Sequence, residues 1–437
     1  MGKQTRRTFV KKMGAASALA AGGFLNWNPR ALGANEKVVL GLIGGQNQGR
    51  GDALRAIHVG AEIKTFCDID QAILDKVNPD LEKAQGKAPG TTKDFERLLD
   101  DKDIDGVIIA VPDHWHAHIG ILACQAGKDI YIEKPLTQTI HDGQMVRDAV
   151  RKHKRVAQVG TQNRSAAHFQ EAIAYLKTGK LGKVCEINTW ECQVRPSIGN
   201  PPDCDPPPTV DYDVWLGPAP KRPFNPNRFH YKWRFFWDYG NTELGNQGVH
   251  MLDVALWGIQ TMRGGLENSL PTHVAGNAGI YWLDDAKEIP DTQVITYDYG
   301  DFMLTWELRS FAMQHPLNGS REGTMFNGVD GTLALTHQGW NVYFKDGSPG
   351  PGSPTPDERE NGLHEKNFID CIRSRQDPNA TIEIGRLSTT VCHLGNIATR
   401  LRRDIVFDPK TETFGHDKEA NAYLTKEHRK PYTLPKV

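Results

Sequence analysis

Cysteine is scarce: 7 in 437 residues, an odd number, with no Cys-x-x-Cys pair and no Cys/His ligand spacing. That excludes a disulfide scaffold or a structural zinc site as the organising principle, and no metal is expected. Cys67, Cys124, Cys371 and Cys392 fall in apolar, periodic segments and read as small buried side chains. Cys192 and Cys204 flank a proline-rich loop, and their positions leave open whether they pair. Charge of one sign is also lacking, because 52 basic side chains meet 53 acidic ones for a formal net charge of −1. Neither nucleic acid nor an acidic membrane surface is therefore expected as a partner. No apolar run reaches the roughly 18 residues that a membrane span requires, and mean hydropathy is −0.52. No internal repeat recurs. What remains is a globular composition, 38% hydrophobic and 24% charged, over a length that exceeds a single core and implies two domains.

The first residues read as an address. Thr5-Arg6-Arg7-Thr8-Phe9-Val10-Lys11-Lys12 is a twin-arginine segment, followed by a weakly apolar Ala/Gly-rich stretch over residues 13–25. Ala31, Gly33 and Ala34 offer a cleavage region. Residues 1–34 are thus expected to direct export of a folded protein, to the periplasm or beyond, and are set aside from fold reasoning.

From Lys37 a short β-branched run predicts a buried parallel strand. It leads into Gly44-Gly45-Gln46-Asn47-Gln48-Gly49 and then a helix opening near Asp52. Strand, glycine turn and helix N-terminus together offer free N–H groups and a dipole to a pyrophosphate. The dinucleotide spacing is met at Gly44 and Gly49, Gln46 replaces the middle glycine, and Gly45 is expected to allow the close approach. The next strand ends at Asp68, 24 residues after Gly44. A carboxylate there accepts the adenosine ribose hydroxyls and repels a 2′-phosphate, which favours NAD while leaving NADP possible. Further strands are expected over 105–111 and 129–132, with a helix around 117–126 after a turn at 112–116. Such alternation predicts a doubly wound parallel sheet with ligands at the strands' carboxyl ends, where His116 and Lys134 fall.

The second half alternates polar and apolar residues at 184–191, 292–298 and 302–307, as strands do. Between them, residues 228–239 (RFHYKWRFFWDY) mix aromatics with Arg, His and Asp. This composition suits a carbohydrate, rings for C–H faces and polar groups for hydroxyls, and equally a buried aromatic cluster or an oligomer contact. A helix opens at Gly245 and runs through Trp257, with His250 and Asp253 on one face. Helices over 360–403 are expected to pack back on the first domain, Glu383 and Arg386 being structural or rim charges. Residues 347–356 read as a flexible Gly/Ser/Pro loop, and the tail from Asp408 as a surface wrap.

Taken in order, the Gly44 loop, Cys67-Asp68, Val111-Pro-Asp-His-Trp-His116, Glu133-Lys-Pro, Val159-Gly-Thr-Gln-Asn-Arg164, Val214-Trp-Leu-Gly-Pro218 and Gly245-Asn-Gln-Gly-Val-His250-Met-Leu-Asp253 resemble the Gfo/Idh/MocA oxidoreductases. Residues 368–435 also resemble the C-terminal segment of a bacterial branch of that family. The resemblance implies a Rossmann domain (35–160) followed by an α+β domain (161–437) whose open, mostly antiparallel sheet covers a nicotinamide. It implies Lys134 as the residue that transfers or orients the proton of the reacting hydroxyl. Burial beside a cationic ring would lower its pKa toward that of a usable base. The cofactor set it suggests is Gly44, Gly45, Gln46, Gly49, Asp68, Pro112, His116, Glu133, Lys134 and Gln162. Arg164, Tyr231, Trp233, Asn246 and His250 would meet the substrate, with Lys134, His250 and Asp253 catalytic. Family members often carry Asp where Asn246 stands; either Lys134 and His250 share the acid–base work, or Asn246 only hydrogen-bonds substrate.

The expected activity is oxidation of a sugar or polyol hydroxyl with NAD. Free NAD is scarce outside the cytoplasm, so a tightly held, internally recycled cofactor is expected. That opens a second reading, a redox-neutral glycosidase or lyase that oxidises its sugar transiently. A binding protein without catalysis is a third. Analogy with the family suggests a homo-oligomer.

Overall fold

A computed structural model describes residues 37–315, 319–353 and 361–437; the expected export signal lies outside them. Apolar runs without alternation form strands that must be covered on both faces. Six of them, β1 (Val39–Ile43), β2 (Glu62–Cys67), β3 (Gly90–Thr92), β4 (Gly106–Ile109), β5 (Asp129–Ile132) and β6 (Ala157–Val159), build a parallel sheet. Its order is β3-β2-β1-β4-β5-β6. Every residue of β4 and β5 is buried. Helices α1 (Gln48–His58) and α2 (Gln71–Gln85) pack on one face. On the other lie α3 (Phe95–Asp100), α4 (Asp113–Gln125) and α5 (Ile140–Lys152). The order reverses between β1 and β4, so their carboxyl ends open a crevice there.

Two expectations in this half need correction. The first helix opens at Gln48, four residues before Asp52. Residues 113–116 are the first turn of α4 and not a loop, because the fixed φ of Pro112 (−58°) suits helix entry.

Helices α6 (Ala167–Lys177), α7 (Tyr212–Leu216) and α8 (Val249–Arg263) come next in the chain, with β7 (Val184–Cys192) after α6. The remaining strands are β8 (His273–Gly279), β9 (Thr292–Asp298), β10 (Met303–Arg309), β11 (Glu322–Gly328), β12 (Gly331–Thr336), β13 (Gly339–Phe344), β14 (Pro349–Ser353) and β15 (Ile405–Val406). They form a nine-stranded sheet, β14-β13-β12-β11-β7-β10-β9-β8-β15, in which only β7 and β10 run parallel. Alternating burial along β9 and β10 leaves one face open. The other face buries Trp306, Phe326 and Tyr297 against α6, α8 and α10 (Ile382–Leu401).

The 347–356 segment is no free loop: Pro349–Ser353 pairs with β13 as the edge strand, a position where Pro and Gly are tolerated. Helix α9 (Leu363–Ser374) packs Phe368, Ile369 and Ile372 onto the parallel sheet, as expected. Glu383 and Arg386 bond Arg151 (2.5 Å) and Glu412 (2.6 Å). After the short α11 (Lys418–Asn421) the tail returns to the first sheet, where Tyr432 meets Trp115 at 5.1 Å. Cys192 and Cys204 are free thiols.

Candidate active site

One cleft of about 1170 Å³, open to solvent, runs along the carboxyl ends of the parallel strands. Gly44, Gln46 and Asp68 line one part of it, and Lys134, Asp113, Arg234, Tyr231 and Trp233 another. At the first part, the chain turns sharply at Gly44, whose φ is +87°. A Cβ there would stand 2.5 Å from the Ala110 carbonyl, and one on Gly49 2.0 Å from the Gly44 carbonyl. Gly45 is required by Phe66, 2.1 Å from where its Cβ would be. These are the roles of the first and last glycines of a dinucleotide turn, the tight bend and the close helix–strand approach. No side chain caps α1 and no acid sits in its first turn, so its N–H groups and dipole face the cleft. The buried Oε1 of Gln46 has no partner among the described residues, as suits a side chain that meets a ligand.

Asp68 follows β2. Its carboxylate accepts from Gly45 N (2.9 Å) and Asp70 N (3.0 Å). Burial raises its pKa to about 6, against those two hydrogen bonds. These residues fit a nucleotide with free ribose hydroxyls. Glu133 lies buried, its Oε1 accepting from Gln162 Nε2 (3.2 Å) and Gln48 Nε2 (3.4 Å). It thereby ties the turn after β5 to the loop after β6 and to α1. Burial raises its pKa, opposed first by the Lys134 charge.

Lys134 follows β5 and reaches across to the second domain, its Nζ donating to the Asn246 carbonyl at 2.8 Å. Burial lowers its pKa, the nearby Arg234 charge adds to this, and Glu133, Asp113 and Glu243 oppose it. His250, 8% exposed, comes four residues after that carbonyl, in the first turn of α8. His116 is buried between the carbonyls of Val111 (2.8 Å) and Pro135 (2.9 Å), so it clamps the Lys134 turn from behind. Thr389 of α10 holds the same turn by accepting from Leu136 N at 3.0 Å.

Arg164 and Asp253, expected at substrate and in catalysis, meet one another and not the cleft. They are 3% and 0% exposed, with Arg164 Nε 2.8 Å from Asp253 Oδ2. Ser388 donates to the same carboxylate at 2.6 Å. The pair locks α8 and α10 to the loop after β6. Both oxygens of Asp253 are engaged by Arg164, and Oδ1 also by Ser388. The amide of Asn246 is also held: Oδ1 accepts from Arg234 Nη1 and Nδ2 donates to Glu243 Oε2, each at 2.9 Å. The amide donates to Glu243 with one end and accepts from Arg234 with the other, where a carboxylate could do only the second.

Three participants went unread in the sequence. Arg234 lies over the Tyr231 ring (4.0 Å) and lines the cleft. Glu243 takes Arg195 (2.7 Å), which together with its hydrogen bonds outweighs burial and holds its pKa low. Asp113, buried, accepts from Asn241 Nδ2 at 2.9 Å, and burial raises its pKa to about 7 against Asn241, Arg234 and Lys134. The dense aromatic run divides. Phe229, Phe235, Phe236 and Tyr239 form a local core with Trp215. Tyr231 and Trp233 face the cleft.

Comparison with known proteins agrees with this geometry. Residues 37–161 match the model described as "Oxidoreductase family, NAD-binding Rossmann fold". Residues 197–434 match "Oxidoreductase family, C-terminal alpha/beta domain". A levoglucosan dehydrogenase of Pseudarthrobacter phenanthrenivorans is 34% identical over 115 residues, 26% of this chain and 30% of that protein. An α-N-acetylgalactosaminidase of Shewanella oneidensis is 30% identical over 159 residues, 31% of this chain and 35% of that protein. The chain thus spans about a third of the length of these curated relatives. Among solved structures, a levoglucosan dehydrogenase in complex with NADH and levoglucosan superposes with a TM-score of 0.65 at 17% identity. The WlbA dehydrogenase of Bordetella pertussis, in complex with NADH and UDP-GlcNAcA, gives 0.62 at 19%. Each covers 85% of this chain and 99% of the other, a likeness of fold. The chain belongs to the Gfo/Idh/MocA family of oxidoreductases, and its N-terminal domain is that family's NAD-binding Rossmann fold.

Proposed function

We propose that this protein is an NAD-dependent oxidoreductase acting on a hydroxyl of a sugar or polyol. The carrying observation is that one cleft holds both the Gly44 turn and Lys134. Bound NAD supplies the acceptor for the hydride that leaves the substrate carbon. Asp68 accepts the ribose hydroxyls and Gly44, Gln46 and the α1 N-terminus hold the diphosphate. Lys134, its proton affinity lowered by burial, takes the hydroxyl proton, with His250 sharing the acid–base work. Tyr231 and Trp233 offer faces to the sugar ring, while Arg234 meets its hydroxyls. The cofactor is held tightly, because residues 1–34 direct export to where free NAD is scarce. The protein works as a homo-oligomer.

A second reading rests on the similarity to the Shewanella oneidensis α-N-acetylgalactosaminidase. In this reading a ring hydroxyl is oxidised, and the acidified neighbouring C–H loses its proton as the aglycone leaves as an alcohol. Water then adds across the resulting double bond, and the hydride returns to the carbonyl, with no net change in NAD; without the water step the product is that of a lyase. Mass analysis of nucleotide released by denaturing the exported protein, followed by a panel of sugars and aryl glycosides, tests both. A ketosugar with stoichiometric NADH supports the dehydrogenase, and aryl glycoside cleavage without NADH supports the second reading. No released nucleotide and no affinity for added NAD or NADP would sink them together.

A further inference from the structure

A second cavity, of about 810 Å³ and partly open, lies on the far side of the loop that follows Lys134, between α10 and the C-terminal tail. Arg400 and Lys426 both line it. Arg400 lies over the rings of Trp237 (4.4 Å) and Tyr423 (4.7 Å), and among the described residues no carboxylate pairs with it. Lys426 donates only to neutral oxygens, Gln138 Oε1 (3.2 Å) and the Asp238 carbonyl (2.9 Å). Asp238, in the wall, has its carboxylate on Arg222 at 2.9 Å, and Asp142 stands 3.4 Å from His428. Asp238 and Asp142 act on Lys426 from a distance, but among the described residues no carboxylate is hydrogen-bonded to either cation, an arrangement that leaves room for an anion.

A second observation narrows the ligand. His393 lines the same cavity, is 6% exposed, and its Nε2 has no partner among the described residues. Burial lowers its pKa to about 4, against the Asp142 charge and a hydrogen bond to the Thr137 backbone, so the ring is neutral at pH 7. With one nitrogen committed to that carbonyl, Nε2 is an acceptor and calls for a hydroxyl donor. A buried acceptor left without one would be costly.

We propose that this cavity binds a small hydroxylated oxyanion, a sugar phosphate or sugar acid. Its charged end lies on Arg400 and Lys426, and a hydroxyl donates to His393. The site is separate from the NAD cleft and does not depend on the chemistry performed there.

The test is titration calorimetry of the NAD-saturated full chain in low-salt buffer at pH 7, so that the Gly44 turn does not capture phosphate. Glucose 6-phosphate, gluconate and neutral glucose serve as probes. Saturable binding is expected for one or both anions, which also tells phosphate from carboxylate. Arg400→Gln and Lys426→Gln should each weaken it by roughly tenfold. Arg402→Gln, a nearby exposed control, and Lys134→Met should leave it unchanged. Binding of neither anion, or binding that ignores both substitutions, overturns the assignment. If Lys426→Gln fails to fold, Arg400→Gln decides alone, because that guanidinium is exposed.

Discussion

Burial lowers the proton affinity of Lys134, and the carboxyl of Asp113 beside it works in the opposite direction. Two predictions follow from that opposition. Lys134→Met should reduce kcat/KM by roughly 10²- to 10⁴-fold with NAD affinity retained, measured by steady-state kinetics and nucleotide titration. Asp113→Asn removes a negative neighbour, so the Lys134 limb of the pH–rate profile should move to lower pH. The same substitution has a stability signature. Asp113 binds its proton more tightly folded (about 7) than at its ordinary value of 3.8. The stability this contributes is complete below about pH 4 and lost as pH rises through 7. Over that interval the NAD-free wild type should lose roughly 1–3 kcal/mol relative to Asp113→Asn in denaturant titrations. At Asp68 the sign concerns ligand, since only the carboxylate accepts both ribose hydroxyls. NAD affinity should fall as pH drops through about 6, and Asp68→Ala should flatten that dependence while weakening NAD roughly tenfold or more.

At the scale of elements, strands deliver chemistry and helices hold it in register. Five of the parallel strands are followed by a candidate site residue, Gly44 after β1, Asp68 after β2, Pro112 after β4, Lys134 after β5 and, through its bond to Glu133, Gln162 after β6. The turn after β5 is clamped by His116 on α4 and Thr389 on α10. Arg164 and Asp253 join α8, α10 and the loop after β6. Asp253→Ala would leave that arginine buried and unpaired, at a cost of about 3–5 kcal/mol. Folded Asp253→Ala protein assayed in the cold should keep kcat/KM within a few-fold. A hundredfold loss without a drop in melting temperature would return Asp253 to catalysis. The helix carrying His250 opens as a π-turn over Leu244–Gly248, which presents the Asn246 carbonyl to Lys134.

For the whole molecule, α9 and the tail matter most. Both come from the C-terminal half, yet they cover the parallel sheet and reach Trp115 on α4. The two domains therefore close on a shared cleft whose walls come from both. The export proposed for residues 1–34 is tested at this scale as well. Replacing Arg6 and Arg7 by Lys should keep active, NAD-loaded protein in the cytoplasmic fraction, measured by fractionation and activity. Unchanged export would remove the address assigned to residues 1–34.

The parallel sheet was legible in the sequence because its strands are unbroken apolar runs that nothing but double-sided burial explains. β5 and β9 appear over the residues read from sequence. The edge strand β14 was not, since Gly and Pro hide a pairing that only β13 supplies. Among site residues, those at strand ends carry a local signature, whether a glycine that must turn or an acid at a fixed offset. Arg234, Glu243 and Asp113 carry none: Glu243 is held ionised by Arg195, 48 residues away, and Asp113 is raised by burial beneath the second domain. His250 and Asp253 share a helical face in sequence, but a guanidinium 89 residues away claims the aspartate. Local sequence thus determined which backbone turns and strands form, because φ preference and apolar patterning act over a few residues. Which carboxylate is paired, which holds its proton more tightly and which amine holds it less tightly was decided only by tertiary packing, because electrostatics and desolvation depend on distance in space.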